Sequence, residues 1–213
     1  LKLTSRLLIF VLGSVFIMNL ILLASIGISS SNKAEEAGLN LALSKSKEAA
    51  SQVKILLNEP INGTNYLTEL VHSAIEEKSQ DRDGMVNLVQ RLAHKSENFY
   101  CVWIQMEPNA YDNRDDFYKN EKRYKGVNGA FYITFYKHKG EIREEKTSID
   151  FYSGDWYLNP LKNKKLTVTE PYMYSYTTEV TDSVFIASFA NPMYKNGASL
   201  GVVGIDISLE SLN

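Results

Sequence analysis

Between Leu7 and Ile28 the chain carries no charge, and only Gly13, Ser14, Asn19, Ser25 and Gly27 relieve its apolar side chains. A helix of about 20 such residues crosses the hydrocarbon core of a bilayer. Lys2 and Arg6 precede the run, and the next charges after it are Lys33, Glu35 and Glu36. The positive-inside tendency then puts the N-terminus in the cytoplasm and everything beyond Ser30 outside. A cleaved signal peptide has a shorter apolar core, about 7–15 residues, although Ala24-Ser25-Ile26 offers a small-residue site. A pilin would carry a Glu a few residues into the run, and this run has none. An uncleaved membrane helix over residues 1–30 is therefore the expectation.

The 213 residues have room for that span plus one domain of ordinary size. The formal net charge of -2 gives no basic excess to recruit nucleic acid. A single cysteine, Cys101, excludes an intrachain disulfide and a Cys-rich zinc site. Because the chain starts at Leu1 and stops at Asn213 in what reads as a helix start, a fragment of something longer is expected.

Residues 31–97 read as helical. Ser31–Leu57 lacks Pro and sets Leu39, Leu41, Leu43, Ala49, Val53, Leu56 and Leu57 near helical spacing, for a helix that continues the membrane span. Asn58-Glu59-Pro60-Ile61-Asn62-Gly63 reads as its end. A second helix fits Thr64–Glu77. A third fits Gly84–Lys95, with Asp81 or Asp83 as its N-cap. His72, His94 and His138 show no ligand spacing, so no metal and no cofactor are expected.

From Asn98 the period changes to that of strands. Phe99–Met106 is aromatic and β-branched. Tyr111–Tyr124 is an Asp-rich loop or irregular helix; Asp112, Asp115 and Asp116 lack the Gly of an EF-hand and read as a solvated face. Ala130–Lys137 and Glu141–Asp150 form a hairpin about His138-Lys139-Gly140. Leu166–Tyr174 is a strand interrupted by Glu170-Pro171, and Tyr176–Asp182 is a turn. Ser183–Tyr194 and Ser199–Ser208 pair about Lys195-Asn196-Gly197. Consecutive strands without helical crossovers, after segregated helices, predict an α+β domain with an antiparallel sheet over 98–213.

One stretch in that half carries chemistry. Tyr152-Ser153-Gly154-Asp155-Trp156-Tyr157 sets a carboxylate beside large aromatic rings at a helix start. Both a carboxylate and an aromatic face attract a cation. Core packing of the rings and capping by Asp155 are the plainer use of the same residues.

Four pieces in order resemble the Cache family of bacterial sensor domains: Val102-Trp103-Ile104-Gln105, Asp155-Trp156-Tyr157-Leu158-Asn159-Pro160, Thr169-Glu170-Pro171-Tyr172 and Gly201-Val202-Val203-Gly204-Ile205-Asp206-Ile207-Ser208-Leu209. Their spacing is similar to the membrane-distal half of a double Cache domain of chemoreceptors and sensor kinases. The resemblance implies a PAS-like sheet behind a long helix, a homodimer through that helix, and an output domain beyond the sequence. It also implies a bacterial inner-membrane location with the sensor outside.

In amino-acid-sensing members, a Tyr and an Arg hold the ligand carboxylate, while a Trp-Tyr pair, another Tyr and an Asp surround the ammonium. Carried over, the ammonium half falls on Trp156, Tyr157, Tyr172 and Asp206. Gly154 stands where the Arg should be, and the upstream Tyr position falls near Ile149, with Tyr152 as a substitute. A ligand carboxylate would then lack its bidentate partner and meet Asp155. Asp155, Trp156, Tyr157, Tyr172 and Asp206 suit an amine, polyamine or quaternary ammonium, with Trp103 and Phe131 as further lining. The alternatives are an amino-acid sensor with a substitute for the Arg, a membrane-anchored hydrolase using Asp155 and Asp206 as a carboxylate pair, and an assembly protein. No nucleophile or metalloprotease motif supports the hydrolase.

Overall fold

Helix α1 (Leu3–Glu76) contains the apolar run and passes through the segment expected to end it. The computed structural model describes residues 3–146, 148–177 and 182–210. The chain divides into two compact units, Leu1–Lys54 and Ile55–Asn213. In the first, the apolar side chains point outward: Phe10, Leu12, Phe16 and Leu23 are all at least 60 % exposed. The stretch is long and apolar enough to cross a membrane, and a helix apolar on every side needs an apolar surrounding.

The expected break at Asn58–Gly63 does not occur, because tertiary contact outweighs local propensity. Pro60 removes one backbone donor from α1. At that point the helix lies on the sheet, with Leu56 and Ile61 packed against Ala187, Phe189 and Ile207. The Thr64 hydroxyl reaches the Pro60 carbonyl at 2.7 Å and the Phe189 carbonyl at 3.2 Å. Gly63 comes so close that a Cβ there would stand 2.6 Å from Ile205 Cδ1. The second expected helix is thus the end of α1, burying Leu67, Val71 and Ile75. Helix α2 (Arg82–Lys95) starts two residues before the expected Gly84, after Asp81, whose side chain makes no cap bond.

Among the described residues, seven strands form one antiparallel sheet: β1 (Cys101–Met106), β2 (Tyr132–His138), β3 (Glu141–Glu144), β4 (Thr167–Val168), β5 (Tyr172–Tyr174), β6 (Val184–Lys195) and β7 (Ala198–Ser208). Their order is β3-β2-β1-β7-β6-β4, with β5 also paired to β6. Glu170-Pro171 does interrupt the expected 166–174 strand, dividing it into β4 and β5. Asn196 (φ 53°) and Gly197 (φ 82°) make the β6–β7 hairpin, both left-handed as a two-residue turn requires.

Alternation on β1 assigns the two faces. Val102, Ile104 and Met106 join Leu67, Val71 and Val89 in the core under the helices. Cys101 and Trp103 face the other way, into a cluster with Tyr136, Tyr157 and Tyr176. The short helices α3 (Asp115–Tyr118) and α4 (Asp155–Asn163) and two 3-10 turns, Lys125–Val127 and Ile149–Ser153, complete the described elements.

The acidic loop is not uniformly a solvated face. Arg82 donates twice to Asp112, through Nε at 2.8 Å and Nη2 at 2.7 Å, and from Nη2 to Asp115 at 2.9 Å. It also donates to the Gly129 carbonyl, and Tyr118 lies 3.9 Å from its guanidinium carbon. Arg82 and Asp115 are buried, and only Asp116 of the three acids is fully exposed. The ion network ties the 107–131 segment to α2.

Candidate ligand-binding site

Strand register brings the site together. Asp206 lies opposite Cys101 on β1 and Ser188 on β6, so all three share the face away from the helices. Trp103 lies opposite Gly204, two residues from Asp206 along β7. The absence of a side chain matters there: a Cβ on Gly204 would stand 2.2 Å from Trp103 Cζ2. The indole crosses that bare backbone and donates from Nε1 to Asp206 Oδ1 at 3.1 Å. Tyr176 donates its hydroxyl to Oδ2 at 2.6 Å. Burial pushes the Asp206 carboxyl up, against hydrogen bonds from Ser188, Tyr176, Trp103 and Cys101.

A second carboxylate joins it that sequence reasoning missed. Glu145 follows β3 and extends its pairing, its N–H donating to the Thr134 carbonyl at 3.0 Å. Arg143 lies opposite Tyr136, so one more pair of residues along the ladder turns Glu145 to the same face. Its carboxylate accepts from the Tyr174 hydroxyl at 2.9 Å. Burial raises it to about 8, with Asp206 adding to the rise and the Tyr174 hydrogen bond opposing it.

Aromatic rings enclose the two acids. Trp156 and Tyr172 stack in parallel at 5.8 Å and 6°. Tyr174 meets Trp156 edge-on at 5.3 Å and Tyr176 at 4.7 Å. With Trp103, Tyr132 and Thr134 they leave a free space of about 20 Å³, room for one water. Among the described residues, no Lys, Arg or His lines that space.

Of the expected site residues, Trp103, Trp156, Tyr172 and Asp206 line this cavity. Asp155 does not; it borders a cleft of about 420 Å³ with Asn159, Thr169, Glu170 and Pro171, and Trp156 and Tyr172 belong to both spaces. Tyr157 is 2 % exposed and donates to Glu107 Oε1 at 2.6 Å; it lines neither. Phe131 belongs to the helix-side core, stacked on Tyr111 at 4.3 Å. Tyr152 donates to the Met106 carbonyl, fixing its hydroxyl outside the cavity lining. Tyr174 was legible by alternation from Tyr172 across Met173; Tyr176 and Glu145 carry no motif.

Gly154 acquires a positive role. It caps α4 with φ -71° and ψ 146°, which any residue adopts. A Cβ there would stand 2.4 Å from Trp156 Cε2 and Cζ2. The indole occupies the space beside Gly154 into which a side chain at 154 would begin.

A long apolar helix, an antiparallel sheet and an aromatic pocket on its outer face define the Cache/PDC class of extracellular sensor domains. The chain belongs to the family of methyl-accepting chemotaxis protein-like first PDC sensor domains, whose profile matches residues 85–213. Among solved structures it is similar to Methyl-accepting Chemotaxis protein X, at 26% identity and TM-score 0.69 over 84% of this chain and 65% of that one. It is also similar to the extracellular domain of mmHK1S-Z3, described as a histidine kinase, at 25% identity and TM-score 0.65 over 76% and 55%. The periplasmic sensory domain of the Campylobacter jejuni chemoreceptor Tlp1 shares the fold, with TM-score 0.58 at 14% identity over 78% and 59%. The chain thus spans 55% to 65% of the length of these solved domains. No curated protein matches it. A sensor domain of this family is not itself catalytic.

Proposed function

We propose that this domain senses an amine that carries no carboxylate. The observation that supports it is the pairing of two buried acids, Glu145 and Asp206, in an aromatic cage whose described lining contains no basic side chain. Two acids without a cation in a desolvated space favour a cationic guest. Trp156, Tyr172 and Tyr174 add ring faces, each worth about 2 kcal/mol to a desolvated cation. At position 154, where amino-acid sensors of the family place an Arg, the Trp156 indole fills the space instead.

The free interior admits little more than a water, so the Trp156–Tyr172 wall turns aside as the ammonium enters. The remainder of the ligand then rests in the outer cleft, where Asp155 and Glu170 supply negative charge at longer range. An amino acid would bring a carboxylate to that same acidic rim, which disfavours the amino-acid alternative.

In the whole receptor, residues 1–30 anchor the protein in the bacterial cell membrane, residues 31–97 form the helical layer and residues 98–213 the sensing sheet, with output beyond them. Two copies pair along α1, where Leu39, Leu43 and Val53 are more than half exposed and spaced as coiled-coil seam positions. Thermal shift of the chain in detergent micelles, with a panel of aliphatic amines and matched amino acids, tests the ligand class. Bound amine at about 100 times its dissociation constant stabilises by roughly 2.7 kcal/mol. Stabilisation by amino acids and not by amines would refute it.

A further inference from the structure

Glu145 and Asp206 line one small space together, at 8 % and 4 % exposure. Asp206 is satisfied on both oxygens, by Trp103 and Tyr176. Among the described residues, Glu145 accepts from Tyr174, on Oε1. Among the described residues, the ionisable groups around the pair are Tyr132 and Tyr136 from β2, Tyr172 and Tyr174 from β5, Tyr176, and Cys101 from β1 beside Asp206. Burial raises every one of them, so all stay neutral and none offers a positive charge. Lys122, Arg123, Lys125 and Lys146 border a different, open cleft that Glu145 also touches, and Arg123 is paired there with Glu144 at 2.6 Å.

We propose that the site exchanges a proton for its ligand: in the free protein the Glu145–Asp206 pair holds one proton, and an ammonium entering the cage displaces it to water. This rests on the amine reading above. The O–H bond of the protonated acid breaks, its electron pair stays on the carboxylate, and the ammonium keeps all its own N–H bonds. One acid and one carboxylate become two carboxylates and one ammonium, so the buried net charge is the same before and after. That constancy avoids the cost of an uncompensated second charge in a dry space. Burial and the neighbouring carboxylate both act to hold the proton on Glu145. Apparent affinity then rises about tenfold per pH unit while the pair is protonated and levels off once it is not. Acid surroundings silence the sensor without touching the ligand.

Calorimetric titration of the full chain in micelles with isobutylamine, in two buffers of different ionisation enthalpy, counts the protons. About one proton leaves per amine bound near pH 6.5, falling toward zero near pH 9, and E145Q releases none. Binding without proton release near pH 6.5 overturns the exchange. The carboxylic acid C=O stretch of the free protein, assigned by its loss in E145Q, separates the two ideas. A band that persists near pH 7 with no heat from isobutylamine sinks the amine reading alone and upholds the protonated pair. A band already absent near pH 6 overturns the exchange, whatever the cage binds.

Discussion

The indole of Trp103 reaches the Asp206 carboxylate, 3.1 Å from Nε1 to Oδ1, by lying across a strand position that has no side chain. Gly204 is that position, and its Cβ would collide with the ring at 2.2 Å. Trp103, Gly204 and Asp206 therefore act as one unit that turns a buried acid toward the cage. The G204A variant should lose about 1–3 kcal/mol through overpacking, together with a shift in tryptophan emission as the indole is displaced. Adding W103F to G204A should recover part of the loss. Unchanged stability and emission in G204A would show that the ring does not depend on the bare backbone.

Stability should depend on pH in a direction set by the cage. The folded-state value of Glu145 is raised from 4.5 to about 8, and Asp206 is raised as well. Across that window the folded protein holds more protons than the unfolded chain. The stabilising contribution is therefore full below about pH 4.5 and is lost as pH climbs toward 8, by roughly 1.4 kcal/mol per unit for one group. Denaturant melts of the ligand-free protein should show this decline, and E145Q should flatten most of it. A wild-type profile as flat as that of E145Q would mean that Glu145 is not desolvated.

Arg82 is expected to matter as much for folding as any core hydrophobe. Its guanidinium serves Asp112, Asp115 and the Gly129 carbonyl at once. Truncation to Ala leaves two buried carboxylates without their counter-charge, with the Asn109 and Arg114 N–H groups still donating to them, a loss of about 3–5 kcal/mol. R82K keeps the charge but not the fork, and should retain only part of the stability. Equilibrium unfolding of the three proteins decides this; R82A melting with the parent would contradict it.

The two aspartates of the sequence motifs should separate cleanly. Asp155 is exposed at the rim of the outer cleft, so D155N should change stability by no more than about 0.5 kcal/mol. Its effect on amine affinity should be a few-fold and should fade within a molar of salt, as exposed charges do. D206N removes the buried charge and should weaken the amine by about a hundredfold, since losing a desolvated partner costs about 2–5 kcal/mol. Titrations at low and high salt measure both, and equal losses would erase the distinction between rim and cage.

What was legible in the sequence follows from which forces are local. Strand alternation, the Asn196-Gly197 turn and the uncharged run from Leu7 are local signals, and the sheet and apolar helix match them. Pro60 and Gly63 mislead because their local preference is for a break, whereas the burial of Pro60 and the close approach of Gly63 to Ile205 and Phe99 are tertiary facts. The acidic loop misleads in the same way: Arg82 lies 30 residues from Asp112 in the chain. Within the site, Trp103 and Asp206 fall on paired strands and were within reach of pattern and resemblance. Tyr157 and Phe131 are aromatic neighbours in sequence that the fold turns elsewhere, toward Glu107 and Tyr111. Glu145 was hidden because nothing in Glu141–Lys146 distinguishes a buried Glu from exposed ones until the β2–β3 register is known.

Isobutylamine and L-valine share an ammonium and a branched carbon skeleton and differ by one carboxylate. Equilibrium titration of the full chain with each, near pH 9 where the acid pair has lost its proton and both amines are still mostly charged, is the deciding measurement. The amine should bind at least about tenfold more tightly than the amino acid, a gap of roughly 1.4 kcal/mol or more. Tighter binding of valine would mean that the cage completes itself around a carboxylate after all, and that Glu145, Asp206 and Gly154 do not select against one.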